Sequence, residues 1–322
     1  MGLKQFPEPR KTPALQVEER RLGAPDSGSP REQTRVWIFV AFAVLLAALF
    51  FQPLLALAVY AAGQQLHSHI LLIPFVSAYL IYIRRLSLPT DYTFSPGWAM
   101  IPLVAAVIAL AAEWVPSVFG GPLSHNDDLA LMALSFVCFV GAGGFFFLGR
   151  KWMTAAAFPF AFLIFMAPMP DAMADTLETA SKLASTEAAS LFFDITGTPV
   201  LREGTIFQLP NIVIQVGQEC SGIRSSWVLV MTSLLAANLF LKSTWRRAIL
   251  VCFVIPLGIV RNGFRVFVIG MLCVHFGPQM IDSVIHHRGG PIFFALSLIP
   301  LFLLLWWLRR GEITADHYHY KS

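Results

Sequence analysis

Charge is scarce in this chain. Only 13% of its 322 residues are Asp, Glu, Lys or Arg, against 56% apolar. A soluble domain carries about twice that share of charge, so a surface wetted on every side is excluded, and the mean hydropathy of +0.66 agrees. The net charge of +4 is modest. Its basic residues gather in short loops and form no continuous patch, which excludes nucleic acid as a partner and leaves lipid as the surroundings. Cysteine is rare as well, at four residues. Cys138, Cys252 and Cys273 lie inside apolar runs and read as small core residues, while Cys220 alone stands at a polar boundary. That usage excludes a disulfide framework. The apolar runs hold hardly any acids, which argues against a paired-aspartate mechanism, and no Gly-x-Ser-x-Gly is present to argue for a serine nucleophile.

What is present is a succession of apolar runs. Helices are predicted at about 36–62, 66–83, 97–115, 129–148, 152–169, 223–241, 247–276 and 291–308. Each is near or above the ~17 residues needed to cross hydrocarbon. The fold class read from this pattern is an all-α polytopic membrane protein of about eight spans, with a short extracytoplasmic segment before the sixth. Residues 1–35, rich in Pro, Glu, Arg and Ser, are expected to be a disordered cytoplasmic tail, 36–310 the membrane domain and 311–322 a second cytoplasmic tail. The first stretch is too long and too acidic for a signal peptide, so no cleavage is expected there.

Basic residues orient the spans. Arg84 and Arg85, Arg150 and Lys151, Lys242 with Arg246 and Arg247, and Arg309 with Arg310 fall on one side if the N-terminus is cytoplasmic. This satisfies the positive-inside rule. The interval from about Pro170 to Gly222 and the loop Gly277–Gly290 then share the outer face. Within the interval, Asp171 to Gly197 reads as an amphipathic interfacial helix, and Thr205 to Gln218 as one or two short strands or extended segments.

Three motifs concentrate the chemistry on that face. The first is QVGQECSGIRSSW, Gln215 to Trp227. Cys220 precedes an apolar run, where unpaired backbone N–H groups at a helix start favour thiolate; the plain alternative is a tight helix start in which the thiol only packs. Glu219 opposes thiolate formation, and Arg224, one turn beyond Cys220, offsets it or anchors to headgroups. The second motif is RNGFR, with Arg261 and Arg265 four residues apart and Asn262 between them. Arg265 lies 18 residues beyond Arg247, about 27 Å along a helix, level with the outer boundary. A guanidinium at such depth is a functional candidate. Arg261, one turn deeper, fits either a functional role or snorkelling or an ion pair with Asp171, Asp175 or Glu178. The third motif is HHRGG, His286 to Gly290. No third ligand accompanies the two histidines at metal spacing, so no metal and no cofactor is expected. Beside a thiol, a histidine suits general acid/base work, and the residues alone leave His286 and His287 undistinguished.

Taken in order, ECSGIRSS, RNGFRV and HHRGG resemble the exosortase/archaeosortase family. HSHILLIPFVSAYLIYIRR near the second span and MAPMP…GTPV…LPNIVIQV before the cysteine extend the likeness from about Leu66 to Trp307. The resemblance implies a membrane cysteine peptidase or transpeptidase with Cys220 as nucleophile, Arg265 as oxyanion stabiliser and His286 as general acid/base, His287 being a spectator. Glu219, Ser221, Gly222, Arg224, Arg261, Asn262 and Gly290 support them. It implies membrane-anchored protein substrates bearing a C-terminal sorting signal (a Pro-Glu-Pro-type motif, one transmembrane helix and a basic tail), cleavage through a Cys thioester, an acyl acceptor of unspecified identity, and a link to exopolysaccharide. It also implies a multi-pass protein of the bacterial cytoplasmic (inner) membrane with its site facing the periplasm, and no additional C-terminal domain of the kind some members carry. Two other readings stay open. One is a transporter or flippase with an arginine-lined anion path, the other a plain hydrolase with water as acceptor.

Overall fold

The computed structural model describes residues 30–63, 67–89, 93–113, 123–210, 212–216, 222–277, 279–280 and 289–321. Helix dominates: α1 Pro30–Leu49, α2 Phe51–Gly63, a 3-10 turn Ser68–Leu72 running into α3 Ile73–Arg84, α4 Pro96–Ala112, and α5 His125–Gly143, which widens into a π-turn at Gly144–Leu148. Short α6 Arg150–Ala155 and α7 Ala157–Phe162 lead to α8 Asp171–Ile195. Strands β1 Leu201–Glu203, β2 Ile206–Leu209 and β3 Ile212–Gln215 follow, then α9 Ile223–Phe240, α10 Thr244–Phe276 and α11 Gly290–Lys321.

Among the described residues, five helices are long and apolar enough to span a bilayer, or seven if each of two bent pairs counts as one span. The structure bears out an all-α polytopic fold, and it shows that two of the predicted runs are not single straight helices. The first run is broken at Phe50, where α1 and α2 meet at 74°. Pro53 has no N–H to return to the carbonyl four residues earlier and its ring crowds it. The ladder restarts with the Leu54 N–H on the Phe50 carbonyl at 2.9 Å. The fifth run, 152–169, is no single helix but α6, α7 and a 3-10 turn, after which α8 departs at 91°. α4, apolar but 17 residues long, is shorter than the five spanning helices.

Packing centres on α10, 33 residues long and therefore about 50 Å by its rise. On one side α9 and α11 close over its first half, burying Leu229, Leu250, Val254 and Leu301 together. On another, α8 and the sheet pack its second half around Phe193, Phe207, Ile214 and Val266. Where lipid replaces water, apolar burial gives no solvent gain, so close approach of small residues holds helices together. Gly263 supplies it: a Cβ there would stand 2.5 Å from Ala188 Cβ and 3.0 Å from the Ser185 carbonyl. The helix expected over 171–197 is thus present as α8, and it packs along α10.

The extended stretch forms three antiparallel strands in the order β1-β2-β3, one more than expected. Arg202 faces Phe207 across the first pair, and Phe207 faces Ile214 across the second. Phe207, Leu209 and Ile214 point inward while Val213 points out, the period-two pattern of a half-buried sheet. Arg202 forks onto both Glu187 oxygens at 2.8 and 2.5 Å, tying β1 to α8.

Three of the four basic clusters meet at one end of the helices. Arg84 donates to the Asn238 carbonyl at 3.2 Å, Arg246 donates to the Leu308 carbonyl at 2.8 Å, and the Arg309 guanidinium lies 5.7 Å from the centre of the Phe240 ring. Glu312 accepts from the Ser243 N–H at 2.8 Å, setting a carboxylate at the positive start of α10. Of the three cysteines read as core, Cys273 is buried and Cys138 half-buried, but Cys252 faces outward. An apolar run surrounded by lipid has no need to turn every small residue inward.

Candidate functional site

α9 starts at Ile223 with Gly222 as its N-cap in the left-handed conformation, φ 69° and ψ 8°. Glycine is required here twice over. A side chain would strain this backbone, and a Cβ would fall 2.8 Å from Asn262 Oδ1 and 3.2 Å from Arg261 Nη2. The turn that follows Cys220 in the chain is therefore pressed directly onto α10.

Arg261 makes that contact polar. Its Nη2 donates to the Gly222 carbonyl and to Ser226 Oγ, each at 3.1 Å. The side chain is 6% exposed and Asn262 is 2% exposed. Gly258 opens the space for the partner: a Cβ on it would meet Ser226 Oγ at 2.9 Å. The ion pair weighed for Arg261 with Asp171, Asp175 or Glu178 is not formed, and among the described residues its Nη1 has no hydrogen-bond partner. Arg261 is buried and, among the described residues, pairs with no carboxylate; it donates to neutral oxygens of the first turn of α9. Arg265 is half-buried one turn further along the same helix, and Arg224 is exposed on the first turn of α9.

α11 reaches the same stretch of α10. Phe293, in its first turn, lies with its ring centre 6.3 Å from that of Phe264, the neighbour of Arg265. The Gly289 carbonyl accepts from the N–H groups of Ile292 and Phe293 at 3.0 and 3.1 Å, which fixes the start of the helix. A Cβ on Gly290 would meet nothing within 4 Å, so packing does not demand glycine there. Glu219, Cys220, Ser221, His286 and His287 lie outside the described residues. What the structure joins are the segments that follow them: the starts of α9 and α11 both abut the Arg261–Arg265 turn of α10.

A polar cluster borders this region that the motifs do not reveal. Asn126 Nδ2 donates to the Met169 carbonyl at 2.7 Å and to Asp171 Oδ1 at 2.8 Å. Tyr60 donates to Asn126 Oδ1 at 3.1 Å, and Asp127 Oδ1 accepts from the Asp171 N–H at 2.8 Å. Together they clamp the first turn of α5 to that of α8. The only local signal was Ser124, whose hydroxyl accepts from the Asp127 N–H at 3.1 Å as an N-cap. Beside the clamp is a partly open cavity of about 550 Å³, lined by Ala130, Leu134, Phe165, Pro168 and Met173 and by Trp227 of α9. Among the described residues no group of three His, Cys, Asp or Glu side chains is placed to hold a metal ion.

Comparison with known proteins gives one match. The family model described as transmembrane exosortase (Exosortase_EpsH) matches residues 59–303. No curated protein and no solved structure matches the chain. The matched span runs from α2 into α11 and takes in every helix that borders the Gly222–Arg261 contact. This multi-pass membrane protein belongs to the transmembrane exosortase family.

Proposed function

We propose that the protein is a membrane cysteine peptidase or transpeptidase that cleaves C-terminal sorting signals of exported, membrane-anchored proteins at the periplasmic face of the inner membrane. Cys220 thiolate attacks the scissile carbonyl, and the resulting oxyanion is held by Arg265. The C–N bond then breaks as His286 protonates the departing amine, which leaves a Cys220 thioester. His286 next takes a proton from the acceptor nucleophile as it attacks the thioester, and the thiolate is released. The signal read is a Pro-Glu-Pro-type motif followed by an apolar helix and a basic tail, in a system linked to exopolysaccharide production. We assign the apolar part of that signal to the cavity beside Trp227.

One observation supports this reading above the rest. The helix starts next in the chain after Cys220 and after His286 both dock on the turn that carries Arg265. An arginine-lined anion path draws less support, because Arg261 is enclosed and committed to the first turn of α9. The test is co-expression of a reporter bearing such a signal with the wild-type chain and with Cys220→Ala, Arg265→Ala and His286→Ala. Each substitution is expected to abolish processing. Full processing by Cys220→Ala would end the peptidase reading. Mass spectrometry of the product's new C-terminus distinguishes water, which leaves a free carboxylate, from another acceptor, which leaves an adduct.

A further inference from the structure

We propose that Arg261 is a positioning residue for the nucleophile, holding the first turn of α9 and adding buried positive charge at Gly222, two residues along the chain from Cys220. The inference rests on the cysteine mechanism proposed above and assigns a residue that the mechanism does not use.

A fork of two hydrogen bonds from one guanidinium nitrogen crosses from α10 to the Gly222 carbonyl and Ser226 Oγ, both at 3.1 Å. Gly222 is two residues after Cys220 in the chain. Its left-handed turn is wedged against Asn262 and Arg261 with no room for a methyl group. The fork and the wedge together fix the rotation and height of this turn relative to Arg265, one helical turn away. Stability alone does not account for a cation here. A charge 6% exposed is costly, and no described carboxylate within ion-pair distance offsets the cost. It also lies beside the start of a helix, where the peptide dipoles are already positive. Guanidinium and helix start therefore repel each other, and both favour an anion close by. A thiolate is such an anion, and so is the oxyanion formed when it attacks. Glu219 acts against the thiolate, while Arg224, Arg265 and His286 are the other charged or titratable groups assigned to the site.

The test uses the full-length protein in detergent. The first readout is the rate of Cys220 alkylation by iodoacetamide at pH 7, followed by mass spectrometry of the peptide containing Cys220 so that the other thiols do not contribute. The second is kcat and KM for a purified reporter ending in a Pro-Glu-Pro-type motif, an apolar helix and a basic tail. Arg261→Met is expected to slow alkylation about tenfold, the equivalent of one pKa unit, and to lower kcat about 100-fold with KM within about twofold, as for a misplaced reacting group. Arg261→Lys, keeping the charge without the fork, is expected to restore alkylation and only part of kcat. Ser226→Ala, which leaves the cation and removes one acceptor, keeps the proposal testable if Arg261→Met does not accumulate; it is expected to lower kcat several-fold with alkylation unchanged. Wild-type kcat in Arg261→Met or in Ser226→Ala, or a rise in KM alone, would overturn the positioning role. Processing by Cys220→Ala would instead overturn the cysteine mechanism itself.

Discussion

At position 222 the backbone and the neighbouring side chains make the same demand. A left-handed φ of 69° costs any other residue about 1–2 kcal/mol, and the first carbon of a side chain would press on Asn262 Oδ1 at 2.8 Å. Gly222→Ala is therefore expected to lower reporter processing at least about tenfold, since the turn must move away from α10. The thermal midpoint should drop by only a few degrees, because strain of that size is a fraction of total stability. A normal processing rate in this variant would mean that the turn does not set the geometry of attack. The sequence marked Gly222 and Asn262 as supporting residues, but nothing in the linear motif says that one wedges the other. That contact depends on the register between α9 and α10, which Gly258 and Ser226 set by fitting together.

Among the elements, the pairing of α8 with α10 carries the clearest consequence. Gly263 brings the helices together until an added Cβ would meet Ala188 Cβ at 2.5 Å and the Ala189 nitrogen at 2.9 Å. The second of these is backbone and cannot rotate away. Gly263→Val is expected to destabilise the protein by about 1–3 kcal/mol, read as a lower unfolding midpoint, and to reduce processing because Asn262 and Arg261 are its neighbours on α10. Unchanged unfolding would show that α8 does not rest on this contact. Helix positions were legible because long apolar runs admit few other readings in lipid. The breaks were less so. Pro53 announces the bend between α1 and α2 only once the distance to the Leu49 carbonyl is counted, and Pro159 splits the run at 152–169 in the same way, four residues beyond Ala155 where α6 ends. The third strand escaped the sequence pattern because Leu201–Glu203 is three residues long, too short to show alternation.

For the whole molecule, orientation is the property that joins fold to function. Leu86 is 92% exposed beside Arg84 and Arg85, and Glu203 is exposed at the end of β1. If the basic end faces the cytoplasm, a membrane-impermeant maleimide added to intact spheroplasts will label Glu203→Cys and spare Leu86→Cys, with both labelled after lysis. Peptide mass spectrometry separates these sites from the outward-facing Cys252. The reverse pattern would move the site to the cytoplasm and remove its access to exported proteins. The charge distribution made this testable before any coordinates, since loop arginines and lysines report sidedness directly. The Asn126–Asp171 clamp and the Glu312 cap were hidden for the opposite reason: each joins residues 45 or more apart in the chain, and their only local signature is polarity at a helix terminus.

The run of α10 from its footing at Glu312 to Arg265, helical throughout with Pro256 inside it, behaves as a ruler. From Thr244 to Arg265 it climbs 21 residues, about 31 Å, close to the thickness of the hydrocarbon layer. Depth is thus counted out in peptide units. One residue added below Arg261 would lift both guanidinium groups by about 1.5 Å and swing them about 100° around the axis, carrying them off the α9 seam altogether.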